Sequence, residues 1–169
     1  MSSPASIRKH PIHPMLVTLP IGLWVFSFIS QLVFLGGGAP GWGSAAFYAA
    51  GVGICGAVAA AIPGLIDLLS LPRASRAWRI GLFHMGVNVL GLVLWAISFG
   101  LMGGGVGIAG APFVLSMLGL ASIGVGGWLG GELVFVHGVG VTPGADVETR
   151  PTTLPRDDHM QPPSERRAA

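Results

Sequence analysis

The sequence predicts an all-α fold, a bundle of four transmembrane helices in a multi-pass integral membrane protein. Three observations lead there. Of 169 residues, 51% are hydrophobic and only 9% are Asp, Glu, Lys or Arg, where a soluble domain carries roughly a quarter charged. No charged residue occurs between Lys9 and Asp67 or between Arg79 and Glu132, and a bilayer core demands apolar stretches of this kind. Each stretch is broken near its middle, by Gly36, Gly37, Gly38 and Pro40 in one and by Gly103, Gly104 and Gly105 in the other. Each therefore divides into two crossings of about 20 residues.

The elements follow in order. Residues 1–14 form a cytoplasmic N-terminal segment with the run His10-Pro11-Ile12-His13-Pro14. Arg8 and Lys9 before an apolar run are reminiscent of a signal peptide. Met15 to Leu35 is longer than the apolar core of such a peptide, however, and lacks a small-x-small cleavage pattern before its end. The reading is an uncleaved helix, from about Leu16 or Leu19 to Leu35. The second helix is expected from about Ser44 to Leu69, ending before Pro72, the third from about Trp78 to Met102, and the fourth from about Pro112 to Val136. Together they make a four-helix transmembrane domain over residues 15–141. Residues 142–169 contain five prolines and nine charges, the composition of a disordered cytoplasmic tail.

Orientation comes from the connections. Arg8 and Lys9 precede the first helix, Arg73, Arg76 and Arg79 lie between the second and third, and four arginines lie in the tail, whereas the other two loops have no charge. Four crossings put all three basic segments on one side, so the positive-inside rule places both termini in the cytoplasm.

Composition also excludes several classes. A single cysteine, Cys55, builds neither a disulfide framework nor a cysteine-based metal site. The sequence pI is near 9.3, but residues 1–141 hold five basic and two acidic side chains and residues 142–169 hold four and five. No basic face exists to grip a nucleic acid backbone. The 28 glycines suit close helix approach in lipid. The pairs Gly126 with Gly130 and Gly127 with Gly131 are expected to pack the four helices together, with a homodimer seam on the fourth helix as the alternative.

On this topology the ionisable side chains gather at one side. His10 and His13 precede the first helix, Asp67 lies about a turn from the end of the second, His84 is one to two turns inside the third, and Glu132 and His137 close the fourth. Nothing ionisable occupies the outer half, which disfavours a transmembrane proton or ion relay. Both His10 and His13 precede proline, which favours extended or polyproline backbone, and three residues per turn would point the two imidazoles the same way. His84 and Asn88 share a helix face. Histidines projecting into a bundle commonly hold haem iron, and His84 is the one placed well inside a span, with His13, His137 or Met85 as the second ligand. The competing reading pairs His84 with Asp67 across the second and third helices. Pro63 should free the carbonyl near Ala59 and bend the helix, turning Asp67 inward, where His84, Arg73 and Arg79 are its candidate partners.

These residues resemble a known family. His10 to Val17, reading His-Pro-Ile-His-Pro-Met-Leu-Val, with Pro20, Ile21, Gly22 and Trp24, is similar to the opening of the bacterial membrane proteins grouped as domain-of-unknown-function family 2231. Gly64, Asp67 and Pro72 match further on, as do His84 with Asn88, Gly130 to Val134, and His137 to Val141. The resemblance implies a four-helix inner-membrane protein without an assigned activity, and its motif positions are His10, His13, Asp67, His84 and Asn88. Some relatives are joined to Rieske-type iron–sulfur domains, which this chain lacks.

The leading expectation is a small redox component that holds one b-type haem or a quinone headgroup near the cytoplasmic leaflet. In it His84 pairs with His13 or His137, Asn88 lies beside them, and Asp67 is the proton partner. A cytochrome with one haem in each leaflet is excluded by the missing outer histidines. Two alternatives stand beside it: a non-catalytic membrane subunit or scaffold, and a cytoplasm-facing metal site using His10 and His13. The expected partners are the lipid bilayer, redox or other membrane subunits and a second copy of the chain, with no nucleic acid.

Overall fold

The computed structural model describes residues 3–141. The chain opens with a β-hairpin in which β1 (Ser6–Ile7) pairs antiparallel with β2 (His10–Pro11). Its two-residue loop, Arg8 and Lys9, has φ of 48° and 68°, the left-handed values that a type I′ turn requires. Helix α1 (Ile12–Leu16) follows at once, then α2 (Thr18–Leu35), α3 (Gly41–Leu69), α4 (Arg76–Leu101) and α5 (Ala111–Phe135). Four segments are long and apolar enough to cross a membrane: Ile12–Leu35, which joins α1 to α2, and the three long helices after it. The predicted crossings stand, with ends displaced by a few residues.

The N-terminal motif is the main departure from expectation. His10 is extended, as its proline demands, but His13 is helical. Pro14 falls in the first turn of α1, where a missing N–H costs no helical bond, and the N–H of Ile12 bonds to Ala5 O at 2.9 Å. The two imidazoles consequently do not project from one polyproline face.

The described helices form two close pairs, α2 with α3 and α4 with α5, and contacts between the pairs are sparser. Both ends of the described chain lie at one end of the bundle, where a side chain built on Gly140 would touch Pro11 at 3.6 Å. With Arg8, Lys9, Arg73, Arg76 and Arg79, this is the basic end. At the opposite, glycine end the first turn of α3 meets the loop after α4 backbone to backbone: a Cβ on Gly43 would run into Gly105 O, so only glycine permits that approach.

The core runs from the middle of the bundle to its glycine end. Trp24, Ala46, Ala50, Trp95, Met102, Ile108 and Ile123 form one buried cluster, centred on stacked Trp24 and Trp95 rings 5.4 Å apart and 2° from parallel. Beside it runs a buried polar network. Gln31 Nε2 donates to Ser116 Oγ at 3.0 Å, Ser98 and Ser116 hydroxyls meet at 2.8 Å, Ser98 donates to Pro112 O, and Ser27 donates to Ala46 O. All four spans are thereby tied. The sequence reading missed this network, although Trp24, Ser27 and Gln31 recur at three- and four-residue spacing along one helix face. Two buried side-chain atoms, Gln31 Oε1 and Trp95 Nε1, lack a partner among the described residues.

Candidate functional site

At the basic end the site begins with two backbone carbonyls. Pro63 supplies no N–H to the helix position four residues before it. On the adjoining turn of α3, Ala60 O receives His13 Nδ1 at 2.8 Å. Across the bundle, Gly126 O on α5 receives His84 Nδ1, also at 2.8 Å. A ring nitrogen facing a carbonyl acts as the donor, so each bond places the proton on Nδ1 and leaves Nε2 with its lone pair. This is the tautomer of a ligating histidine.

The two rings then meet. His13, held by the α2–α3 pair, and His84, held by the α4–α5 pair, have centroids 6.1 Å apart and planes 85° apart, and both are half-buried. Glycines make the room: a Cβ on Gly64 would lie 2.7 Å from His13 Nδ1, and one on Gly130 3.1 Å from His84 Cε1. Asn88 packs over Gly126, where a Cβ would meet its amide at 2.6 Å. Its Nδ2 donates to His84 O at 2.7 Å and approaches the His84 ring nitrogens at 3.3 and 3.4 Å.

The structure thus brings together His13, His84 and Asn88. It does not bring in the others. Asp67, expected to pair with His84 or an arginine, accepts instead from Ser3 Oγ at 2.6 Å and from the Ala5 N–H at 3.2 Å. It clasps the N-terminal segment because α3 carries it past the rings to the rim. His137 Nδ1 turns back onto Glu132 O in its own chain end, at 3.2 Å. His10 is exposed, with Nδ1 on Arg8 O, and no group of three or more His, Cys, Asp or Glu among the described residues is placed to hold a metal ion. Of the glycine pairs, Gly126 and Gly130 face α4, whereas Gly127 has open space around it. Residues 142–169, the expected tail, lie outside the described residues.

The surroundings of the rings differ from the core. Buried apolar side chains at this end are mainly Leu68, Leu71 and Leu133, whereas Phe83, Trp128 and Phe135 are exposed and Trp78 is half-buried.

The sequence matches the family DUF2231, described as a predicted membrane protein, over residues 9–143. Since that range takes in most of the chain, the protein belongs to this family of membrane proteins. No curated protein and no solved structure matches it.

Proposed function

We propose that this protein is a small redox component of the bacterial inner membrane, with both termini cytoplasmic, holding one b-type haem between His13 and His84. The observation that carries the reading is the pair itself: two imidazoles from opposite helix pairs, each with Nδ1 committed to a backbone carbonyl. Their 6.1 Å centroid separation fits the roughly 6 Å that one metal ion imposes on two imidazoles bound at about 2 Å. A flat group entering here lies between the two helix pairs and splits neither, at the end of the bundle where no Phe, Tyr or Trp among the described residues is fully buried. The donor set fits haem iron.

When bound, the haem supplies one-electron transfer. The chain's own residues do the rest. Ala60 O and Gly126 O fix the tautomer and orientation of the two histidines, and hydrogen bonds from Nδ1 raise the basicity of Nε2. Gly64 and Gly130 keep side chains away from the rings, and Asn88 holds the His84 side of the helix interface. The distribution of arginines supports the cytoplasmic placement of this end.

The test is an absorption spectrum of detergent-purified protein expressed with ample haem, oxidised and dithionite-reduced. The expected result is a reduced-minus-oxidised b-type α band, lost in His84→Ala and in His13→Ala with helicity unchanged by circular dichroism, and kept in Asp67→Ala. A flat wild-type spectrum overturns the proposal. A second reading, a non-catalytic membrane subunit, is favoured by one observation: Asp67, the carboxylate on α3 at this end, fastens Ser3 and Ala5 through its Oδ1. It predicts no chromophore, and variants that disturb assembly alone.

A further inference from the structure

The outer face of α4 at the basic end holds a feature that the histidine pair does not use. Arg79, Leu82, Phe83, Gly86, Val87 and Leu90 line an open groove of about 420 Å³. Gly86 is its floor, with no atom within 4 Å of where a Cβ would stand, and the apolar walls are exposed, Phe83 by 70% and Leu90 by 53%. Arg79 closes the basic end of the groove. Its neighbour Arg73 lies over the Trp78 ring, 5.9 Å from the centroid, but Arg79 has no acidic partner among the described residues. The two described carboxylates are elsewhere, Asp67 on the N-terminal segment and Glu132 on α5.

We infer that this groove binds one acidic phospholipid. A guanidinium without an acidic partner among the described residues, above a continuous apolar trough, matches a molecule with an anionic phosphate and a hydrocarbon chain attached to it. Arg79 recognises the headgroup through charge-assisted hydrogen bonds to phosphate oxygens. An acyl chain runs down α4 over Gly86, between Phe83 and Leu90, and fills a depression that a straight row of large side chains would not leave. A zwitterionic lipid meets the same trough but presents the guanidinium with a neutralised headgroup, so the preference resides in Arg79.

The full-length protein in neutral detergent, titrated with phosphatidylglycerol or with phosphatidylcholine of the same chains and read by native mass spectrometry, tests this. The expected result is one tightly held phosphatidylglycerol, with an advantage over phosphatidylcholine of about fivefold, the value of one basic group beside an anionic surface. Arg79→Gln abolishes the advantage. Gly86→Leu fills the trough and weakens both lipids, and Arg73→Gln leaves the preference as it was. Equal binding of the two lipids by the wild type overturns the proposal. So does an Arg73→Gln effect as large as that of Arg79→Gln, which would make the attraction one of bulk charge, or unchanged binding in Gly86→Leu. Arg73 and Arg79 are exposed and Gly86 faces open space, so a loss of fold is not expected, and circular dichroism checks it.

Discussion

The two ends of the bundle solve the same packing problem in opposite ways. At the glycine end the pairs α2–α3 and α4–α5 are sealed by stacked Trp24 and Trp95, 1% and 0% exposed, by the Gln31–Ser116–Ser98 network and by the backbone contact of Gly43 with Gly105. At the basic end the same pairs meet through two half-buried imidazoles. In lipid no hydrophobic force drives helices together, so tightness must come from close packing and internal hydrogen bonds. The glycine end has both. The basic end spends its polar groups on orienting two rings, and stability is therefore expected to reside in one half and chemistry in the other.

Substitutions can break or sharpen that contrast. The largest effect is expected from Trp95→Ala, which removes half of the buried stack and should cost about 3 kcal/mol or more in equilibrium unfolding in mixed micelles. A loss no greater than that of His13→Ala would erase the distinction between the ends. Next comes Gly43→Ala, where the new methyl meets rigid backbone instead of a movable side chain and should cost about 1–3 kcal/mol. Gly127→Ala, in open space, is the matched control and should be near neutral in the same assay. Ser116→Ala strips a partner from both Gln31 and Ser98 and should cost about 0.6–1.7 kcal/mol, the range of interhelical hydrogen bonds in bilayers. Smallest is Asp67→Ala, under about 1 kcal/mol globally, but with faster amide exchange of Ala5 as the N-terminal segment comes free. Unchanged exchange there would show that the hairpin and α1 hold the segment without the carboxylate.

Much of this architecture was legible beforehand, because charge-free length and glycine breaks act locally along the chain. The spans and their loops follow from that alone. His84 and Asn88 were readable as a pair through their four-residue spacing. His13 was one of three partners named for His84, and its selection over His137 and Met85 was not readable, since it depends on α1 turning His13 into the bundle and on the carbonyls of Ala60 and Gly126, which no side-chain pattern announces. The partners of Asp67 differ from those expected for a related reason: depth along a helix can be counted from sequence, but a partner 64 residues away, in the segment ahead of a short hairpin, cannot. The Gln31 network escaped notice because attention to ionisable groups passes over hydroxyls and amides, which in lipid are the ordinary fasteners.

The uncharged loops at the glycine end bear on how the molecule is made. Each close pair is a helical hairpin with its own short connection, and neither connection has a charge to be drawn through hydrocarbon, so each hairpin can enter the bilayer as a unit. Docking of the two units is then the last step of biogenesis. Because His13 belongs to the first hairpin and His84 to the second, the histidine pair does not exist until that step is complete.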